Sequence, residues 1–276
     1  MAITNRYDFI MLFDVENGNP NGDPDAGNTP RMDAETGYGY ITDVCLKRKI
    51  RNFVELAKEG ESGYNILVKP DKALNTRFAE AYDAEQLEKG KKKDRKTEEI
   101  EKARNYMCRN YFDVRAFGAV MSTGDNPCGI VRGPVQITFA RSLSPITIED
   151  VTITRQARTT EDRQETGGTE MGRKSIIPYA LYRAEGYISA ALAQKVTGLS
   201  DDDVELLWDA IVNMFENDHS AARGKMCMRK LYIFKHDSTL GNCPSHVLFD
   251  KVEVSLKEEK PPRQFADYTI HVDDAM

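Results

Sequence analysis

Residues 6–15, RYDFIMLFDV, alternate so that Tyr7, Phe9, Met11, Phe13 and Val15 share one face while Ile10 and Leu12 share the other. Apolar side chains on both faces mark a central strand, covered by a layer on each side. The stretch that follows, NGNPNGDPDAGNTPRMDAETGYG (17–39), is too dense in Gly, Pro, Asn and Asp to be helix or strand throughout. Loops of that length inside compact domains are usually functional. Beyond it Thr42 is placed to cap a helix on which Leu46, Ile50, Phe53, Val54 and Ala57 recur at helical spacing, with Gly60 as its stop.

Further along, YNILV (64–68) suits a short strand, and residues 71–110 read as two charged helical pieces broken near Gly90, part of a helical insertion over 61–112. Strands are expected at Pro134–Ala140 and at 176–192, the latter interrupted at Gly186. Between them, RQARTTEDRQETGGTEMGRKS (155–175) reads as a projecting hairpin that turns at Gly167-Gly168. Ser200 with Asp203 forms an N-terminal box ahead of Val204, Leu207, Trp208, Ile211, Val212 and Phe215, an amphipathic helix. Residues 225–235 alternate as a last strand, and 246–256 with 265–272 form a closing pair. Without the insertions the order is β-α-β-β-α-β: one elaborated α+β domain over 1–276 with the ferredoxin-like, RNA-recognition-like arrangement.

The composition, 40% hydrophobic and 30% charged, is that of a globular protein and disfavours a disordered, fibrous or membrane chain. The apolar stretch Phe9–Phe13 is too short and too charged at its flanks for a signal peptide, and five cysteines are an odd number. They read as reduced thiols of a cytoplasmic protein.

With 38 Lys and Arg against 44 Asp and Glu, the net charge is −6, which argues against indiscriminate DNA coating. The charge is segregated, however. VCLKRKIRNFV (44–54) holds Lys47, Arg48, Lys49 and Arg51 with no acid, and Lys47, Arg51 and Lys58 fall in one helical stripe. Residues 220–236 hold Arg223, Lys225, Arg229, Lys230 and Lys235, again with no acid. Residues 199–218 carry seven acids and no base. Basic elements beside acidic ones are compatible with a nucleic-acid track, and equally with solvated faces.

Other chemistry is poorly supported. The loop from Asn17 mimics the start of a calcium loop but has Asn28 where the bidentate Glu belongs. Cys227, His236, Cys243 and His246 lack paired zinc-ligand spacing. No P-loop, nucleophile elbow or HExxH motif occurs. Asp23, Asp25 and Asp33 could hold Mg²⁺ for phosphodiester hydrolysis, although polar turns more often use Asp for their own backbone.

RYDFIMLFDVENGNPNGDPD with ITDVCLKRKIRNFV, FGAVMSTG, GPVQITFARS and MGRKSIIPYALYRAEGYIS, in order over nearly the whole chain, resembles the backbone subunit of type I CRISPR Cascade complexes, most closely subtype I-C. The resemblance implies a non-enzymatic, cofactor-free subunit of an antiviral ribonucleoprotein. It implies an RNA-recognition-like palm, the helical insertion and a thumb hairpin over 152–174. Copies would stack in a helical filament along one CRISPR RNA, beside other Cascade subunits, and present the guide for pairing with a target DNA strand. Carried onto this sequence, the RNA contacts would be Asn17 and Asn21 in the loop, Lys47, Arg48, Lys49 and Arg51 on the helix, and Ser122. On the thumb they would be Arg155, Arg158, Arg173 and Lys174, with Met171 as a wedge. The alternative is a type III-like backbone subunit that cleaves RNA in a metal-dependent way through Asp33 or Asp23.

Overall fold

The computed structural model describes residues 1–90, 96–155 and 170–273. In chain order its elements are β1 (Tyr7–Gly18), the short β2 (Gly22–Asp23) and β3 (Thr29–Pro30), β4 (Tyr38–Ile41), α1 (Asp43–Ala57), α2 (Leu74–Ala84), α3 (Thr97–Asn110), α4 (Phe112–Phe117), β5 (Gly118–Met121) and β6 (Gly129–Arg132). There follow β7 (Val135–Ile137), β8 (Ala140–Pro145), β9 (Glu149–Arg155), β10 (Glu170–Ile188), α5 (Asp201–Asn213), β11 (Lys225–Lys235), α6 (Ser245–Asp250), β12 (Val252–Leu256) and β13 (Tyr268–Val272).

β1 is the central strand its pattern implies. It pairs antiparallel with β10 on one side, Tyr7 opposite Ile188, and with β11 on the other, Tyr7 opposite Lys235. The main sheet runs β11-β1-β10-β8-β4, with β7 and β9 also pairing to β10. Phe9, Met11, Phe13 and Val15 enter an apolar cluster with Leu46, Ile50 and Val54 of α1 and Val204, Leu207 and Ile211 of α5. Ile10 and Leu12 point the other way, into a cluster with Phe249, Val252 and Tyr268 of the C-terminal segment. The two layers are thus unlike: helices on one face, the β12–β13 hairpin on the other. Each large side chain that β1 buries fully contributes about 1.5–3 kcal/mol.

The caps expected from sequence form. The Thr42 side chain accepts from Cys45 N, and Ser200 with Asp203 closes a reciprocal capping box. α2 and α3, with Leu67, Cys128 and Val131, enclose an apolar cluster of their own.

Several local expectations are corrected. Residues 64–68 form only a single bridge, Asn65 to Tyr111. The strand expected at 134–140 is two, β7 and β8, because Thr138 keeps its N–H bond to Glu185 O at 2.8 Å while its hydroxyl, in place of its carbonyl, accepts from Glu185 N. β10 runs through Gly186 without interruption; a Cβ there would lie 2.0 Å from Phe9 Cζ, so the glycine makes room for the ring. The strand stops at Ile188, and Ser189 caps a helical turn over Ala190–Leu192. Residues 245–250 are helical, so the closing pair is β12 with β13 alone. Edge strand β4 and the β5–β6 hairpin carried no recognisable alternation and were not expected.

Candidate nucleic-acid interface

β1 ends where the chain must pass another backbone at contact distance. A Cβ at Gly18 would sit 1.9 Å from Arg223 O, and one at Gly224 2.4 Å from Asn17 O, so only glycine permits the approach. Asn19 N then donates to Ala222 O at 2.8 Å, and Asn19 Nδ2 to Asn28 O at 2.7 Å, which folds the Asn/Gly/Pro loop back on itself. β10 arrives from the other side, Lys174 Nζ donating to Ala221 O at 2.8 Å. Between them lies a cleft of about 170 Å³ lined by Asn19, Gly27, Asn28, Arg173, Lys174, Ser175 and Ala222. The Arg173 side chain is 74% exposed and reaches Asp150 at 3.7 Å. The cleft therefore carries cationic heads and hydrogen-bonding groups, the composition that suits an anionic backbone.

The basic helix is arranged differently from a phosphate-facing stripe. Lys49 is 2% exposed and paired with Asp218, which also binds Arg223 Nε at 3.0 Å. Arg51 Nε donates to Asp113 Oδ2 at 2.8 Å, and that carboxylate also accepts from Leu67 N and Val68 N. Lys47 pairs with Asp43 and Lys58 with Glu61. The stripe Lys47–Arg51–Lys58 is neutralised residue by residue, and the acids that pair with Arg51 and with neighbouring Lys49 lie far away in sequence. Arg48 is half-buried, and no ion pair to it is found among the described residues. On β11, Arg229 Nε donates to the buried Asp14 at 2.8 Å and Lys225 reaches Glu16 at 3.5 Å. Tyr179 Oη also donates to Asp14, and burial with that neighbouring charge pushes its phenol far above the ordinary value.

Asn17 is exposed, at φ 51°, on the rim of the cleft-forming loop. Asn21 is turned inward, its Oδ1 accepting from Thr42 N and Thr42 Oγ1, so it ties the loop to the start of α1. Ser122 is exposed in the β5–β6 turn, on the hairpin that packs against α2 and α3. β9 and the start of β10 form the base of the expected hairpin, with Arg155 in register with Glu170 and Met171, 76% exposed, opposite Thr154. Arg158 and the Gly167-Gly168 turn lie outside the described residues. Among the cleft residues, Asn19 falls within the repeated Asn and Gly of NGNPNG (17–22), whereas Asn28 and Ala222 were missed and carry no such signal.

The loop acids serve the loop. Asp23 accepts from Asp25 N and pairs with Arg31 at 3.3 Å. Asp33 accepts from Thr36 Oγ1 and Glu35 N, bonds that hold its carboxyl below the usual range. No group of three or more His, Cys, Asp or Glu placed to hold a metal occurs among the described residues. His236 binds Asp8 through Nε2 and Asn242 through Nδ1. All five cysteines are free, and burial pushes the Cys108 thiol up to about 11. No helix among the described residues is long and apolar enough to cross a membrane.

Comparison with known proteins agrees with this architecture. A CRISPR-associated protein Cas7 from Haloferax volcanii is 27% identical over 241 residues, 77% of this chain, which spans 66% of the length of that relative. A chain from a structure titled CRISPR RNA-guided surveillance complex, pre-nicking, superposes with a TM-score of 0.51 at 16% identity, covering 83% of this chain and 77% of that one. A chain of a type III-B Cmr-beta complex bound to cognate target RNA gives a TM-score of 0.45 at 12% identity, covering 84% and 61%. The sequence pattern of the family described as CRISPR-associated protein Cas7 matches residues 5–273. The chain belongs to the Cas7 family.

Proposed function

We propose that this chain is a CRISPR RNA-binding backbone subunit of a type I effector complex, closest to subtype I-C, that polymerises along the guide and presents it to a target DNA strand. The observation that carries the reading is the cleft in which Arg173 and Lys174, at the base of the β9–β10 hairpin, meet the Asn19–Asn28 loop. A protein that leaves sequence reading to base pairing needs phosphate and shape contacts, which cations and backbone groups on two facing segments provide. In this reading the sheet order β11-β1-β10-β8 with α1 and α5 on one face is an RNA-recognition-like palm, 61–112 is its insertion and 152–174 its thumb. Asn17, Arg48, Arg173, Lys174 and the Met171 wedge face the guide, with Ser122 farther along the track, and Arg155 and Arg158 are further contacts expected of the thumb. Lys49, Arg51 and Asn21 act indirectly, holding α1 and the loop that form the cleft, and Lys47 is offset by Asp43. The exposed acids Asp201, Asp202, Glu205 and Asp209 of α5 offer a heterologous contact between successive copies.

The ribonuclease reading is less well supported because Asp23 and Asp33 have oxygens already engaged with their own loop. Mg²⁺-dependent cleavage of guide-paired RNA that disappears in Asp33→Ala would establish it instead. The proposed function is tested by salt-dependent binding of single-stranded RNA. Arg173→Gln and Lys174→Met should each flatten the slope of log affinity against log salt by about 0.7. Unchanged slopes in both would refute the cleft as the phosphate track.

A further inference from the structure

The sheet has a second region of open surface, apart from the cleft. Leu143 joins the apolar cluster under the C-terminal hairpin, and Arg141, two residues before it on β8, therefore stands on that same face. Arg141 is in register with Tyr40 of edge strand β4. The hairpin covers β1, β10 and β11 but leaves this corner bare: Tyr38 is 37% and Phe139 51% exposed. The rings of Tyr40 and Phe139 are nearly parallel, 6° apart with centroids at 6.3 Å. With Met32, Asp33 and Arg141 they line a cleft of about 390 Å³. No hydrogen bond or ion pair to the Arg141 side chain is found among the described residues, and it is exposed.

We propose that this cleft binds one unstacked nucleobase of a single-stranded nucleic acid, stacked on Phe139 and Tyr40, with the adjoining phosphate on Arg141. A flat aromatic platform on an otherwise polar surface suits a π-faced ligand better than an aliphatic one. The polar groups narrow the class further. The Arg141 guanidinium only donates, and both Asp33 oxygens are taken by Glu35 N and Thr36 Oγ1, so the complementary ligand presents an anion beside a π-face, as a nucleotide does. A peptide strand added to β4 would be read through backbone bonds and would leave Arg141 without an anion. The site lies on the face away from α1 and α5. The proposal rests on the reading of the chain as a nucleic-acid binder, and it adds a base-contacting position to a phosphate track.

The test uses the full chain with a labelled 20-nucleotide single-stranded RNA, and separately the DNA of the same sequence, under 254 nm crosslinking and in anisotropy titrations. Crosslinked peptides spanning Tyr38–Tyr40 or Phe139 are expected. Phe139→Ala should weaken binding by about 5- to 140-fold, the range for loss of one stacked base. Phe139→Trp should restore it. Crosslinking of RNA alone points to the guide as the source of the base, and of DNA alone to the target strand; both outcomes support the site. Wild-type binding that Phe139→Ala leaves unchanged, with crosslinks elsewhere, overturns this proposal and spares the phosphate track. Loss of self-association in Phe139→Ala without a change in crosslinking also overturns it, assigning the surface to a second copy. A wild-type chain that binds neither strand overturns both readings.

Discussion

Lys49→Met separates a structural cation from a ligand-binding one. Lys49 is buried with Asp218, and its side chain packs over the Phe215 ring at 5.8 Å. Methionine keeps most of the aliphatic volume but strands a carboxylate whose side chain is 8% exposed. Removing one partner of a buried pair costs about 3–5 kcal/mol. Asp218 retains Arg223 at 3.0 Å, so the low end applies, about 3 kcal/mol. At about 2–4 °C per kcal/mol for a domain of this size, the midpoint of thermal unfolding should fall by roughly 6–12 °C. The salt slope of RNA binding by the folded variant should stay that of wild type, because no phosphate contact is lost. Thermal unfolding by circular dichroism and anisotropy titration between 50 and 200 mM salt, on the order of the range where such slopes are measured, supply the two readouts. A variant that melts like wild type yet binds RNA with a shallower slope would refute the assignment and return Lys49 to the RNA.

Other substitutions probe the frame. Asp113→Ala removes the acceptor shared by Arg51, Leu67 N and Val68 N and should cost about 3–5 kcal/mol in urea unfolding; a loss under about 1 kcal/mol would show that the three donors find other partners. Gly186→Ala forces a methyl into the Phe9 ring and should cost about 1–3 kcal/mol, whereas a neutral result would mean the ring moves freely. Because burial raises the Cys108 thiol to about 11, native alkylation near pH 8 should spare Cys108 and modify partly exposed Cys243 first, read by mass spectrometry. Rapid labelling of Cys108 would show that the helical insertion opens. Reversing Asp202 and Asp209 to Lys should impair assembly on a long RNA without unfolding the chain, and undiminished assembly would remove α5 as the contact between copies.

What was legible in the sequence was what local pattern decides. The alternation of 7–15, the Thr42 cap and the Ser200–Asp203 box depend on residues within a few positions of each other, and all three formed. The ion pairs that bury Lys49 and Arg51 of the basic helix were hidden for the opposite reason. Charge counted along a window cannot see Asp218 arriving 169 residues after Lys49, or Asp113 arriving 62 after Arg51. Gly186 read as a break because its function is steric and lies across the sheet, in Phe9. The loop and the start of β10 could be named separately, Asn17–Asn21 and Arg173–Lys174, but their meeting depends on the Gly18–Gly224 contact, which only the fold reveals.

The central claim is that the chain holds a guide RNA, and the most direct measurement is to sequence the RNA that co-purifies with it in low salt. The account predicts a bound population carrying a common repeat-derived handle, released as salt rises. Protein that emerges free of RNA, or RNA of random cellular origin without such a handle, would contradict it.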